Sequence, residues 1–376
     1  MAVKSIVKVS ELEGAKRLDA EYYQLGCIEN ENVVSTCGLP IELLGKLVTK
    51  PINGFDYRSF SSSGIPYIRV GDILPGEVLY RDAEKIQVSV DEIGKDIKLQ
   101  QGDILFSRKG TFGRASVVEE GFSNAIISSE IMRLRVSNEK VNPYYISTFL
   151  NSKFGFHQVE RRTHGVSNFS ITQEDLSTIK VPILRLEIQA KVRELIRSAY
   201  LEHEKSYQVY LQAEQMLLTE LGLDKLTLSY PNYYTVSLNQ TERVNRMDAE
   251  HFQPKYDRLF QHIAKKGNAN YLGNLVTQPI RRGLQPIYVE QGEIIVVNSQ
   301  HLGRYLLNIE ATERTDDTFW KSNKPCQVQK NDVLLYSTGA YVGRTNAWLE
   351  GQRAIASNHV TIIRPNATCN PLYLSV

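Results

Sequence analysis

The chain predicts an α+β fold: two related tandem modules separated by one long coiled-coil-type helix. Three observations lead there. The stretch from Ile183 to Leu221 contains no Gly and no Pro, the usual helix interrupters. The segments on either side of it resemble one another. Each of those segments is built from short apolar runs of strand length, parted by turn-rich pieces.

Apolar or small residues recur through the long stretch at a 3-4 spacing: Ile188, Val192, Leu195, Ala199, then Val209, Ala213 and Met216. Glu202 and Ser206 occupy the middle of that stripe, so the seam is polar at its waist. The spacing is that of an amphipathic helix seeking a partner helix, and Gly222 stands where a C-cap glycine is expected. At 1.5 Å per residue the helix spans roughly 58 Å, too long to hide its stripe in a small domain.

The repeat has an offset of about 229 residues. Arg17-Leu18-Asp19-Ala20-Glu21-Tyr22-Tyr23 returns as Arg246-Met247-Asp248-Ala249-Glu250-His251-Phe252. The run from Leu44 to Ile52 returns from Leu272 to Ile280. Phe106-Ser107 with Gly113-Arg114 returns as Tyr336-Ser337 with Gly343-Arg344, and Asn142-Pro143 as Asn370-Pro371. Matches in one order at a near-constant offset mark a tandem duplication.

Strands are expected at Ile65 to Val70, Asp103 to Ser107 and Ile131 to Val136 in the first copy. In the second they are expected at Ile294 to Val297, Val333 to Ser337 and Val360 to Arg364. Asn142-Pro143 reads as an N-cap and first-turn proline opening a helix towards Val159. Ser170 with Gln173 fits a capping box for a short helix before Val181-Pro182. The division expected is a first module over 1–182, the long helix over 183–222 and a second module over 223–376. That second module stops just after its Asn370-Pro371 helix start, so the matching second long helix is expected to be absent. Either the chain is a truncated form or a partner chain supplies that helix.

Hydrophobic content of 42% and charged content of 23% over 376 residues are globular values, enough for two or three domains. A net charge of +2 excludes a polycation, so any nucleic-acid surface has to come from local clustering of Lys and Arg. No apolar run is long enough to cross a bilayer and no signal peptide follows Met1, which predicts a cytoplasmic protein. Cys27, Cys37, Cys326 and Cys369 lack zinc-type spacing and read as reduced, mostly buried thiols; neither metal nor cofactor is expected.

Local signatures sharpen the picture. They are Gly64-Ile65-Pro66-Tyr67-Ile68-Arg69 with Gly71-Asp72-Ile73, Gly102-Asp103-Ile104-Leu105-Phe106-Ser107-Arg108, Gly110 to Arg114, and Gly165-Val166-Ser167-Asn168-Phe169-Ser170 before Leu176. In order and in duplicate, they resemble the DNA-specificity (S) subunit of type I restriction-modification systems. That family commonly has Pro-Leu-Glu-Glu-Gln at the helix start, where this chain has Ile183-Leu184-Arg185-Leu186-Glu187-Ile188-Gln189. The resemblance implies two target-recognition domains, each reading half of a bipartite double-stranded DNA target. It also implies that the spacer helix sets their separation and docks methyltransferase (M) subunits, with restriction/translocase (R) subunits as further partners. Without its second helix, the exposed stripe could also pair with that of another copy.

Readout needs donors and acceptors that reach base edges, with Arg and Lys also holding phosphates. The first-copy candidates are Arg69, Asp72, Arg108, Lys109, Thr111, Arg114, Arg161, Arg162 and His164. Those of the second are Arg281, Arg282, Asn298, Gln300, His301, Arg304, Thr338, Tyr341 and Arg344. Arg114 and Arg344 stand at equivalent places, which favours structure or phosphate contact over base reading. The Arg-x-Asp-Ala-Glu blocks read as structural arginine-carboxylate clusters.

Catalysis finds no support. Asn142-Pro143-Tyr144-Tyr145 echoes an adenine methyltransferase site, yet no Gly-rich methyl-donor loop accompanies it and the second copy reads Asn370-Pro371-Leu372-Tyr373. A metal nuclease needs converging carboxylates and a lysine, and Asp96-Ile97-Lys98 alone does not make one. No phosphate-loop pattern is present. A non-catalytic DNA-binding subunit is therefore expected. Two alternatives keep the fold: the specificity component of a fused restriction-methylation enzyme, and a protein-binding scaffold without DNA contact.

Overall fold

A computed structural model describes residues 6, 8, 17, 19–81, 83–88, 98–122, 124–165, 169–228, 231–267, 269–309 and 312–376. Leu18, Asp96, Ile97 and the Val166-Ser167-Asn168 part of the last signature lie outside them. The chain divides into two compact units, Met1–His203 and Glu204–Val376.

The first unit runs α1 (Leu25–Ser35), β1 (Ile41–Leu43), α2 (Leu44–Leu47), β2 (Ile52–Asn53), β3 (Ile65–Ile68), β4 (Ile73–Leu74), β5 (Glu77–Val78) and β6 (Glu84–Ile86). It continues with β7 (Ile104–Ser107), β8 (Ala115–Val117), β9 (Ile126–Ile127), β10 (Ile131–Leu134), α3 (Pro143–Asn151), α4 (Lys153–Arg161), α5 (Gln173–Ser177) and β11 (Lys180–Pro182). One antiparallel sheet has the order β2-β10-β7-β8. Another has the order β6-β3-β9, with β3 and β9 parallel. In β7, Ile104 and Phe106 enter one core with Leu44, Met132, Ile146 and Leu176, while Leu105 enters a second core with Ile68, Ile73 and Ile127. This period-2 alternation buries both faces, which is why the strand reads as an uninterrupted apolar run.

After α6 (Leu186–Leu221) the second unit continues with α7 (Leu238–Val244), α8 (Pro254–Lys266), β12 (Arg281–Arg282), β13 (Ile294–Val297), β14 (Arg314–Thr315), α9 (Asp317–Ser322) and β15 (Gln327–Val328). Then come β16 (Val333–Tyr336), β17 (Thr345–Ala347), β18 (Ala354–Ala356), β19 (Val360–Ile363) and α10 (Pro371–Ser375). Its sheet β12-β19-β16-β17 repeats the order of β2-β10-β7-β8, and β13 pairs parallel with β18 as β3 does with β9. Ile295, Val297, Leu334 and Ile362 pack on the fully buried Trp348, while Ile294, Val296 and Ile355 face Phe319 and Trp320. The sequence duplication is thus a duplication of fold.

Polar devices repeat with the strands. Buried Asp103 accepts the Gln100 N–H at 2.7 Å and takes a two-pronged bond from Arg135, at 2.7 and 2.8 Å. Buried Asp332 does the same with the Gln329 N–H and Arg364, each bond at 2.7 Å. The Arg-x-Asp blocks are local clusters in both copies: Arg17 grips Asp19 at 2.7 Å, and Arg246 grips Asp248 at 2.7 and 2.9 Å. Arg17 also donates to the Thr163 carbonyl at 3.0 Å, tying the module's start to the end of α4.

Several elements differ from the sequence expectation. The helix predicted from Pro143 towards Val159 breaks at Ser152, whose extended backbone and hydroxyl cap α4 by accepting the Gly155 N–H. A Cβ on Gly155 would lie 2.1 Å from the Phe149 carbonyl oxygen, so the tight bend requires glycine. The cap of α5 is Thr172, accepting from the Asp175 N–H at 3.1 Å; Ser170 instead pairs with His164 across an isolated bridge. The strands from Ile65, Ile131, Val333 and Val360 end one or two residues early where the chain turns, the one to Ser107 starts one residue late, and Ile294–Val297 is as expected. The long helix begins at Leu186, three residues after the predicted start, because Ile183 is still extended and donates to the Pro40 carbonyl at 2.8 Å.

Hydrogen bonds to a charged partner contribute about 1.5–3 kcal/mol. Asp103→Ala should therefore destabilise the first unit by about 2–3 kcal/mol in urea unfolding. Because Asp332 has the same partners, Asp332→Ala should cost the second unit about as much.

Candidate nucleic-acid interface

The predicted contact residues fall into three groups. The first is committed to the fold. Arg161 and Arg162 are only 4% and 5% exposed, and both pair with buried Glu31 of α1. Arg161 also donates to the Tyr22 carbonyl at 2.8 Å and lies over the Tyr22 ring. They are corrected from DNA contacts to core arginines: two adjacent arginines near a helix C-terminus look like a basic patch, and only the fold brings Glu31 to them. Asp72 is likewise buried, accepting the Arg69 N–H at 2.7 Å. Arg114 donates inward to the Ile73 carbonyl at 3.1 Å.

A second group gathers at one rim of the first unit, where β3, β7 and β9 end. Arg69 leaves β3 half-exposed, 3.7 Å from Glu84 and over the Phe60 ring. Arg108 leaves β7 and donates to the Ser129 carbonyl at 3.3 Å; exposed Lys109 and Thr111 follow it in a turn whose Gly110 lies against Val70. Lys109 and His164 both bridge to Ser170, and His164 contacts Asp175 at 2.8 Å.

The third group sits at the equivalent rim of the second unit. Exposed Arg282 donates to the Asn358 carbonyl at 2.7 Å and to the Thr338 hydroxyl at 2.9 Å. Asn358 occupies the place that Ser129 has in the first unit, so the same loop is held by an arginine from a different strand. Ser357 donates to the Val297 carbonyl at 3.0 Å, setting this loop beside Asn298. Asn298 donates to Glu313 at 2.9 Å and Gln300 does so at 3.2 Å. Arg281 is exposed, and Arg344 stacks at 3.7 Å on the exposed Tyr341 ring. Arg304 lies 4.0 Å from Glu214 of α6, apart from the strand-end loops.

His301 is buried, and its Nδ1 accepts the Asn298 N–H at 3.0 Å, so Nε2 carries the proton towards Glu313 at 3.5 Å. Burial holds its pKa below the ordinary imidazole value, against an opposing pull from Glu313. Among the described residues, Cys27, His157 and Glu160 are a group whose ligand atoms lie within 4.8 Å of one another, compatible in donor type with a metal. His157 Nδ1 already contacts Glu160 at 3.0 Å, and burial raises the Cys27 thiol's pKa.

The predicted stripe on α6 is open: Leu195, Ala199, Val209 and Met216 are exposed, with Ile188, Val192 and Ala213 half-buried. Within each unit the helix packs through residues that sequence reading missed. Gln189, fully buried, accepts the Asn142 N–H at 2.8 Å and donates to the Lys140 and Leu184 carbonyls in the first unit. In the second unit, Tyr207 and Tyr210 pack on Tyr305, whose hydroxyl donates to Glu214 at 3.0 Å. Apart from Ile196, which packs on the first unit's core, polar and aromatic residues make these contacts, so apolar periodicity did not reveal them. Glu84 and Glu313 were missed too, although they stand at the repeat offset.

Residues 55–202 match the type I restriction modification DNA specificity domain. The match lies within the first unit and covers less than half of the chain. More particularly, the chain is 28% identical over 129 residues to the type I restriction enzyme EcoBI specificity subunit of Escherichia coli. That match takes in 34% of this chain and 27% of that protein's length. The HsdS subunit from Thermoanaerobacter tengcongensis aligns over 90% of this chain and 78% of its own, with 16% identity and a TM-score of 0.32. The type I restriction-modification S subunit from M. genitalium aligns over 89% and 75%, with 10% identity and a TM-score of 0.34. Among the described residues, no helix is long and apolar enough to cross a membrane.

Glu31→Ala should destabilise the first unit by about 3–5 kcal/mol, because it leaves two buried guanidiniums without their carboxylate. Its expected signature is a lowered unfolding midpoint in urea. A second expectation concerns pH. His301 binds its proton less readily folded than unfolded, so its contribution is complete above the unfolded value, about 6.5, and is lost as pH falls towards the folded one. The second unit's thermal midpoint should fall between pH 7.5 and 5.5, and His301→Asn should flatten that fall.

Proposed function

We propose that this protein is a DNA-reading specificity subunit of a type I restriction-modification complex. Each unit reads one half of a bipartite duplex target, and cleavage, translocation and methyl transfer come from partner subunits. One observation carries the reading: the domain matched over 55–202 recurs as a fold in the second unit, and both copies place basic and polar side chains at the same strand-end rim. Arg69, Arg108, Lys109, Thr111 and His164 form the first reading edge. Arg281, Arg282, Asn298, Gln300, Thr338, Tyr341 and Arg344 form the second.

Exposed Lys109 and Arg281 suit phosphate contact, since exposed compact or forked cations reach the backbone without base geometry. Asp72, Arg161, Arg162 and His301 hold the rim rather than touch DNA. Helix α6 is proposed as the spacer between the modules, divided as 1–182, 183–222 and 223–376. Its open stripe is the docking rail for methyltransferase helices or the same stripe of a second copy.

The exposed stripe also favours a second reading, a protein-binding scaffold without DNA contact. Salt separates the two. Binding that neutralises about six phosphates weakens about 10³-fold between 50 and 200 mM salt, whereas an apolar helix seam hardly responds. Lys109→Ala and Arg281→Ala should each weaken duplex binding alike for all sequences and lower the log–log salt slope by about 1. Electrophoretic titration of the full chain across that salt range checks both; affinity without salt dependence would sink the DNA reading.

A further inference from the structure

The two reading edges are built to one plan, and the half-buried position just after the parallel strand changes chemistry between them. Residues 69 and 298 each follow the strand that runs parallel to its neighbour, β3 in one unit and β13 in the other. Each has its N–H capped by the side chain three residues on, Asp72 at 2.7 Å and His301 at 3.0 Å. A glutamate faces each of them. Tyr67 pairs with Glu84, and Val296 donates to the Glu313 carbonyl at 2.9 Å, so the register is common to both units. The separations 69 to 84 and 298 to 313 are identical in the sequence. Within this shared frame the side chain is a guanidinium in the first unit and a carboxamide in the second.

Resting on the reading above, we infer that Arg69 and Asn298 are matched specificity-determining positions. Arg69 selects guanine and Asn298 selects adenine, while Glu84 and Glu313 act as positioning residues. Arg69 and Asn298 are both half-buried on an open rim, whereas the buried pairs Asp103 with Arg135 and Asp332 with Arg364 keep the same residues in both units. What changes at a kept position on an open rim answers to something outside the fold.

The chemistry at each position suits one base. A guanidinium offers two parallel donors that match guanine O6 and N7; a carboxamide offers the donor and acceptor that match adenine N7 and N6. Asn298 gives one N–H to Glu313, and its oxygen lies 3.4 Å from the Tyr288 hydroxyl. Among the described residues this leaves one N–H and one lone pair, the set that adenine requires. Arg69 is 43% exposed and its partner Glu84 46%, a surface pair weak enough to part when a base arrives. Phe60 beneath the guanidinium limits where it can swing.

The test is enrichment of bound duplexes from a randomised library by the full chain, read by sequencing. Asn298→Arg should change adenine to guanine at one position of one half-target, and Arg69→Asn should make the converse change in the other half. All other positions should stay as they were. Glu313→Gln should blur the preference read by Asn298 and its neighbour Gln300, leaving the other half-target as it was, without moving the salt slope. If Asn298→Arg lowers the melting temperature, Asn298→Ala removes the pair without added bulk and should level that position by about 5- to 150-fold. A folded Asn298→Arg or Asn298→Ala protein that enriches the wild-type motif unchanged overturns this inference and leaves the DNA-reading function standing. A wild-type chain that enriches no motif overturns both.

Discussion

The structure depends on a buried carboxylate placed just before a central strand. Asp103 and Asp332 are each sealed from water, and each binds a backbone N–H and an arginine from the neighbouring antiparallel strand. A one-residue slip between those strands would separate the pair and turn every apolar side chain to the wrong face. The ion pair therefore acts on register more than on net stability, for which apolar burial dominates. Fully burying one Leu or Ile contributes about 1.5–3 kcal/mol, and each unit buries many.

Fixed register in turn fixes where the loops hang. The turns after β3, β7 and β9, and after β13, β16 and β18, leave their sheets at matching points. Their side chains differ because nothing in the core constrains them. The loop carbonyl at residue 129 is held by Arg108, while its counterpart at residue 358 is held by Arg282. One mechanical requirement is met from two directions, which leaves different side chains free to face outward. A constant frame with a variable rim follows from that separation of tasks.

Helix α6 shows the same division on a single element. Within the first unit Gln189 is taken up by the fold, and within the second Tyr207, Tyr210 and Glu214 hold Tyr305. Burial and a hydrogen bond to Glu214 push the Tyr305 hydroxyl up to about 12, so it remains a donor across ordinary pH. The predicted stripe keeps Leu195, Val209 and Met216 in water. Apolar surface on a long helix is costly to leave exposed, and an open apolar stripe is the kind of surface an interface buries.

Much of this was legible before any coordinates. Strand runs such as Ile294 to Val297, the Asn142-Pro143 and Asn370-Pro371 caps, the long helix and the duplication are local or periodic, and a one-dimensional pattern records them. What the sequence determined by itself was the list of elements and their repetition. Which polar residues lie inside was decided only by tertiary structure. Arg161 and Arg162 look like an exposed basic pair until Glu31, distant in the chain, is brought against them. Gln189 looks like a helix surface residue until three backbone groups close on it. Burying a charge or an amide depends on partners remote in sequence, and such pairings leave no periodic trace for composition or spacing to reveal.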